Sequence, residues 1–118
     1  MSEDTESGIT THVLDTSIGK PAAGMTVRLE VQGVGGWRLL AEHETDADGR
    51  VGQLVPEEEG LDAAVYRLIF ETGPYFERRG LSAFYPRVSI DFEVTEPSEH
   101  HHVQLLLSPY GYSTYRGS

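Results

Sequence analysis

A two-residue rhythm of apolar and polar side chains does most to limit what this chain can fold into. In Thr26-Val27-Arg28-Leu29-Glu30-Val31, the residues Val27, Leu29 and Val31 fall on one side and Thr26, Arg28 and Glu30 on the other. Val88-Ser89-Ile90-Asp91-Phe92-Glu93-Val94 repeats the pattern. Successive side chains leave a strand on opposite faces, so period two with one wet face marks a half-buried, antiparallel strand. Weaker segments of the same kind run over 10–14, 37–45, 50–55, 65–72, 101–107 and 111–115, giving eight expected strands. The breaks carry turn chemistry: Ile18-Gly19-Lys20-Pro21, Gly33 to Gly36, Asp46-Ala47-Asp48-Gly49 and Ser108-Pro109-Tyr110-Gly111. Asp48-Gly49 between two strands predicts a hairpin. Only Gly73-Pro74-Tyr75-Phe76-Glu77-Arg78-Arg79-Gly80 reads as helical, with Pro just inside the start and Gly past the end. Many short strands and one short helix over Pro74 to Arg79 predict an all-β sandwich or barrel.

Size and charge narrow the functions. The chain has 118 residues, enough for one domain, and a net charge of −10. That charge repels phosphate backbones, so no nucleic-acid partner is expected. There is no cysteine, which removes disulfides, thiolate metal sites and cysteine nucleophiles together. No apolar run approaches the ~20 residues of a membrane helix, so no membrane partner is expected. Residues 1–8, MSEDTESG, are acidic and polar, unlike a secretory signal, and read as a disordered tail. The run Glu57-Glu58-Glu59 reads as a solvated loop. The expectation is a soluble, cytoplasmic, single-domain protein over residues 9–118.

Five histidines are available: His12, His43, His100, His101 and His102. On a strand, His100 and His102 share a face while His101 points the other way. Two imidazoles so placed can bind a metal, but no carboxylate or cysteine sits at matching spacing. His12, among the strand formers Thr10-Thr11 and Val13-Leu14, is by periodicity a core or edge residue. Arg50, after the acidic turn, is by itself a surface arginine paired with Asp48. The end of the chain supplies a reason for these residues to meet. Tyr110-Gly111-Tyr112-Ser113-Thr114-Tyr115-Arg116-Gly117-Ser118 carries three tyrosines in six residues on an expected strand, where chain ends are usually frayed. An ordered end would deliver the Ser118 hydroxyl and a carboxylate to a fixed place.

Several segments together closely resemble the transthyretin-related 5-hydroxyisourate hydrolases. They are Thr11-His12-Val13-Leu14-Asp15, Gly19-Lys20-Pro21-Ala22, Thr45-Asp46-Ala47-Asp48-Gly49-Arg50, Phe84-Tyr85-Pro86, His102-Val103, and Leu105 through the terminal Tyr115-Arg116-Gly117-Ser118. The resemblance covers nearly the whole chain from Ile9, and the terminal Tyr-Arg-Gly-Ser separates the hydrolases from transthyretin, the hormone carrier. Three departures stand out: His101 replaces an aromatic residue, Gln104 replaces a proline, and the acidic tail is extra.

The resemblance implies a sandwich of two four-stranded antiparallel sheets with one short helix, and a homotetramer, a dimer of dimers, with sites lining a channel between dimers. It implies hydrolysis of 5-hydroxyisourate to 2-oxo-4-hydroxy-4-carboxy-5-ureidoimidazoline in urate degradation, by attack of water on a ring acyl C–N bond. His12, Arg50, His102 and Ser118 carry over as catalytic positions. His12, Arg50, Tyr115, Arg116, Gly117 and Ser118 carry over as substrate-binding positions. No metal and no organic cofactor are called for. The chemistry suits these residues, since water needs a base near neutral pH and the tetrahedral oxyanion needs a donor. Two other functions fit some of the same residues. One is a non-catalytic carrier of a flat aromatic ligand in the channel, which would want an apolar lining. The other is a metal-binding protein using His100, His102 and His12.

Overall fold

The computed structural model describes residues 8–117. Nine strands and one helix run in the order β1 (Gly8–Asp15), β2 (Lys20–Pro21), β3 (Thr26–Gly33), β4 (Gly36–Glu44), β5 (Arg50–Val51), β6 (Ala64–Phe70), α1 (Thr72–Glu77), β7 (Val88–Val94), β8 (His100–Ser108) and β9 (Gly111–Gly117). They form two sheets, β2-β1-β8-β9 with β5 also paired to β1, and β4-β3-β6-β7. The expected sandwich with one short helix is therefore present. Its larger sheet departs from a purely antiparallel one, because β1 and β8 run parallel over their whole length, from Gly8 opposite His100 to Asp15 opposite Leu107.

The core lies between the sheets and follows the period-two pattern. Ile9, Val13, Val103, Leu105 and Leu107 bury from the larger sheet, and Val27, Leu29, Tyr66, Leu68, Phe70, Val88 and Val94 from the smaller. Edge strand β4 leaves most of its residues exposed, including His43 on the sheet remote from the other histidines. Charged residues there discourage edge-to-edge pairing. Surface ion pairs such as Arg67–Asp91 and Arg38–Glu59 are half or more exposed on at least one partner. Each is worth at most about 1 kcal/mol, so apolar burial carries the stability.

Four expectations are corrected. β1 opens at Gly8, one residue inside the segment read as tail; residues 1–7 lie outside the described residues. The segment 50–55 is a strand only at Arg50–Val51. Beyond it Leu54 and Val55 bury as loop residues, and the Leu54 amide donates to the Ile9 carbonyl at 3.1 Å, so apolar side chains reach the core without a ladder. The Asp48-Gly49 turn is not a hairpin but a crossing between sheets, because β4 pairs with β3 while β5 pairs with β1. The helix starts at Thr72, two residues before Pro74, which is tolerated because first-turn N–H groups have no intrahelical acceptor.

A buried carboxylate ties the helix to the larger sheet. Asp15, fully buried at the end of β1, accepts from the Tyr75 hydroxyl at 2.8 Å, the Arg79 guanidinium at 2.5 Å, and the Ser17 amide and hydroxyl at 3.0 and 2.5 Å. Burial, reinforced by the bond to Asp15, pushes the Tyr75 hydroxyl up to about 12, so it stays a donor. Removing the carboxylate strands a buried hydroxyl and a half-covered guanidinium. Asp15→Ala should cost about 3 kcal/mol and Tyr75→Phe about 1 kcal/mol in urea unfolding at fixed protein concentration. Equal midpoints for both variants and the parent protein would count against this anchor.

Candidate active site

The larger sheet lays a row of chemically useful side chains across its outer face. Arg50 on β5 is paired with His12 on β1, His12 with Gln104 on β8, and Gln104 with Tyr115 on β9. Directly opposed residues on neighbouring strands point the same way, so these four form a line across four strands. Two residues along, Thr10, His102 and Gly117 are paired in the same manner. The opposite side chains of β1, Ile9, Thr11, Val13 and Asp15, are buried, which fixes the register and keeps His12 facing outward.

Arg50 is brought to His12 by the turn before it. The Asp46 carboxylate accepts from the amides of Asp48 at 2.9 Å and Arg50 at 3.0 Å, and the Gly49 carbonyl accepts from the Val13 amide at 2.8 Å. Gly49 has φ 75°, and a Cβ there would lie 2.4 Å from the Val13 carbonyl oxygen. Only glycine lets this turn lie against β1. The Asp46 carboxylate, holding the backbone, thus anchors Arg50.

Two polar residues bind the imidazoles. Gln104, only 9% exposed, places its amide oxygen 3.3 Å and its amide nitrogen 3.1 Å from His12 Nδ1. It can accept from a protonated Nδ1 or donate to a bare one. Thr10 Oγ1 lies 2.7 Å from His102 Nδ1 and 2.7 Å from His100 Nε2. Burial lowers the His102 pKa from its ordinary 6.5; the positive charges of His100, Arg50 and His12 act in the same direction, and the bond to Gln104 opposes them. The lowered pKa favours the neutral imidazole at pH 7.

The sequence-based residues do not all converge. His12, Arg50, His102 and Tyr115 share the outer face, and Gly117 lies beneath His102. A Cβ on Gly117 would fall 2.5 Å from His102 Cδ2, so this glycine makes room for the ring. Arg116 is paired with Val103, on the alternate positions, and reaches Glu99 at 3.2 Å and the His100 carbonyl at 3.1 Å. It steadies the start of β8 and does not join the row. Ser118 lies outside the described residues. His101 turns inward as expected and is 6% exposed, with burial lowering its pKa. Among the described residues, no three His, Cys, Asp or Glu side chains gather where they could hold a metal.

Sequence reasoning passed over Thr10 and Gln104. Gln104 left a signal, a lone carboxamide in the apolar run Val103 to Leu107. Thr10 left none, since threonine is an ordinary strand former.

The depressed His102 pKa has two consequences. Because the unfolded chain binds this proton more readily, the fold loses stability as pH falls from 6.5 through the lower native value. By NMR titration His102 should have its midpoint below 6.5. Gly117→Ala should push the ring off Thr10 and shift that midpoint. An unchanged midpoint in this variant would remove the packing role of Gly117.

A profile of the HIUase/Transthyretin family matches residues 9–117. The chain is 50% identical over 116 residues to 5-hydroxyisourate hydrolase of Caulobacter vibrioides, covering 95% of this chain and 99% of that protein. It is 47% identical over 110 residues to the Salmonella dublin enzyme of the same name, covering 93% of this chain and 80% of that protein. The structure of Klebsiella pneumoniae 5-hydroxyisourate hydrolase superposes with a TM-score of 0.83 at 40% identity, covering 95% of this chain and 100% of that one. Transthyretin from Sparus aurata superposes with a TM-score of 0.86 at 30% identity, covering 92% and 95% of the two chains. With the sandwich, the crossover turn and the outward row of imidazoles all in place, the chain belongs to the HIUase/Transthyretin family.

Proposed function

We infer that the chain hydrolyses 5-hydroxyisourate, an enzyme activity of urate degradation. One observation carries this beyond the fold. His12 and His102, on neighbouring strands, share a sheet face with Arg50, and the charges of Arg50 and His12 act on His102. A carrier of a flat aromatic ligand favours an apolar lining over three ionisable groups, whereas attack of water on an acyl carbon needs a base and a cation.

We assign the roles as follows. His102 and His12 share the base and proton-shuttle role. Neutral His102 accepts a proton from water as its oxygen adds to the ring carbonyl carbon. Arg50 donates hydrogen bonds to the oxygen that becomes the tetrahedral oxyanion. Collapse expels the ring nitrogen, which takes up a proton, and leaves a carboxylate in 2-oxo-4-hydroxy-4-carboxy-5-ureidoimidazoline. Tyr115 and Ser118 hydrogen-bond the substrate ring and water, with Gly117 setting the position of His102. No cofactor enters these steps.

We further propose a homotetramer, a dimer of dimers, in the cytoplasm. The site is one open sheet face, with Arg50 exposed and Tyr115 56% exposed. A flat substrate on such a face needs a second wall, and another copy of the chain supplies it. Phe84, Tyr110 and Tyr112 are 68%, 73% and 43% exposed. Aromatic surface of this kind favours an interface.

The test uses freshly made 5-hydroxyisourate. The purified protein should consume it far faster than buffer alone. His12→Ala, Arg50→Ala and His102→Ala should each lower kcat/KM by about 10²-fold or more, the loss typical of a general base or an oxyanion donor. Decay no faster than buffer would end the hydrolase reading, and an intact variant would remove that residue from the mechanism. The wild-type kcat/KM should fall on an acid limb below pH 6.5, because protonated His102 cannot accept from water.

A further inference from the structure

Hydrolysis of a cyclic amide leaves a proton to be disposed of. Water supplies its oxygen and one hydrogen to the carbon and one hydrogen to the departing nitrogen. The carboxylic acid so formed ionises at neutral pH, so each turnover releases one net proton. Before the nitrogen departs, a half-buried base beneath a bound ring must also hold the proton it takes from water, and it needs a route by which that charge can reach the solvent edge.

The outer face of the larger sheet holds such a route. His102 and His100 are two residues apart on β8, with ring centroids 6.1 Å apart, too far for a direct proton hop. Thr10, opposite His102 on β1, fills the gap with Oγ1 at 2.7 Å from a nitrogen of each ring. A hydroxyl has one hydrogen. If it donates to one imidazole, it must accept an N–H from the other. Only two neutral arrangements satisfy both contacts. In the first, His102 Nδ1–H donates to Thr10 and Thr10 O–H donates to His100 Nε2. This leaves the lone pair of His102 Nε2 free for the water. In the second, the directions reverse, and Nε2 of His102 carries the hydrogen and can act as an acid. His100 is partly exposed at the start of β8, where Arg116 holds its carbonyl at 3.1 Å.

We propose that Thr10 and His100 form a proton relay that sets the tautomer of His102 and carries its proton to the solvent edge of the site. The inference rests on the hydrolase reading. The balance is simple. As water adds to the carbonyl carbon, its proton goes to His102 Nε2. The Nδ1 hydrogen passes to Thr10 Oγ1, and the Thr10 hydrogen passes to His100 Nε2. His100, now an imidazolium, holds the extra proton at the solvent edge, and His102 is left neutral with the hydrogen on Nε2. As the nitrogen departs it takes that hydrogen, the two hops run backwards, and His100 and His102 return to the first neutral arrangement. The carboxylic acid then gives its proton to bulk water, the one net proton released. No bond but O–H and N–H changes along the chain. Thr10 and His100 are positioning and relay residues, since neither is asked to touch the substrate.

The experiment compares kcat and KM for the full chain and for Thr10→Val, Thr10→Ser and His100→Ala, with imidazole varied at constant ionic strength. Thr10→Val keeps the shape of the side chain and removes the hydroxyl. It should lower kcat about tenfold or more with KM nearly unchanged, a smaller loss than removal of the base itself. Thr10→Ser should keep most of the rate. His100→Ala should lose kcat to a similar degree and regain it as imidazole is added, while the parent enzyme responds little. A structural role for His100 predicts no such rescue. The relay is overturned if Thr10→Val and His100→Ala keep the parent kcat, if the loss falls in KM alone, or if imidazole restores nothing. An inactive parent protein would instead overturn the hydrolase reading, so the two failures are distinct.

Discussion

Everything at the site depends on the parallel pairing of β1 with β8. It is the centre of the larger sheet, and it sets His12 beside Gln104 and Thr10 beside His102. The inner sides of both strands are held by burial of Ile9, Val13, Val103 and Leu105, and the Thr11 hydroxyl bonds the Val103 carbonyl across the pair at 2.7 Å. A slip of one residue would send those apolar groups to water and the imidazoles into the core. The hydrophobic effect, which knows nothing of chemistry, thereby fixes the register of the imidazole row. The other strands extend the same row: β5 adds Arg50 at one edge, and β9 adds Tyr115 and Gly117 at the other.

Burial also tunes the chemistry. His102 sits low enough in the face to lose some hydration, and the Arg50 guanidinium also disfavours its charged form, so the neutral imidazole is favoured near neutrality. The same partial burial would be costly for unpaired polar atoms. Thr10 and Gln104 meet that demand by giving ring nitrogens partners. Stability and reactivity are served by the same hydrogen bonds, one reason the face tolerates so many polar groups over an apolar core.

Much of this was legible in the residues. The alternation in β3 and β7 marks strands without ambiguity, whereas α1 ends at Glu77, two residues before the expected Arg79, in a turn that Gly80 closes with φ 75°. What stayed hidden was long-range. Asp48-Gly49 reports a tight turn correctly, but nothing local says that the strands on either side belong to different sheets. Residues 50–55 look like a strand because Leu54 and Val55 are apolar, and an apolar loop over a core end looks the same. The two-residue β2 at Lys20–Pro21 is too short to show periodicity. At the site, family resemblance pointed to His12, Arg50 and His102, and strand alternation then separated Gly117, beneath His102, from Arg116, which faces away. Gln104 and Thr10 needed the register, because their meaning lies in what stands opposite.

The span of that central pairing has a consequence of its own. Thr11 and Val103 are 92 positions apart, yet they are hydrogen-bonded neighbours. The smaller sheet includes two pairings of short reach, β3 with β4 and β6 with β7. Closing the long loop between β1 and β8 costs entropy before any contact repays it, and such topologies fold slowly. Any form of the chain that held only the smaller sheet would lack the whole row of imidazoles and would bare the apolar inner surface of that sheet, a surface prone to aggregation.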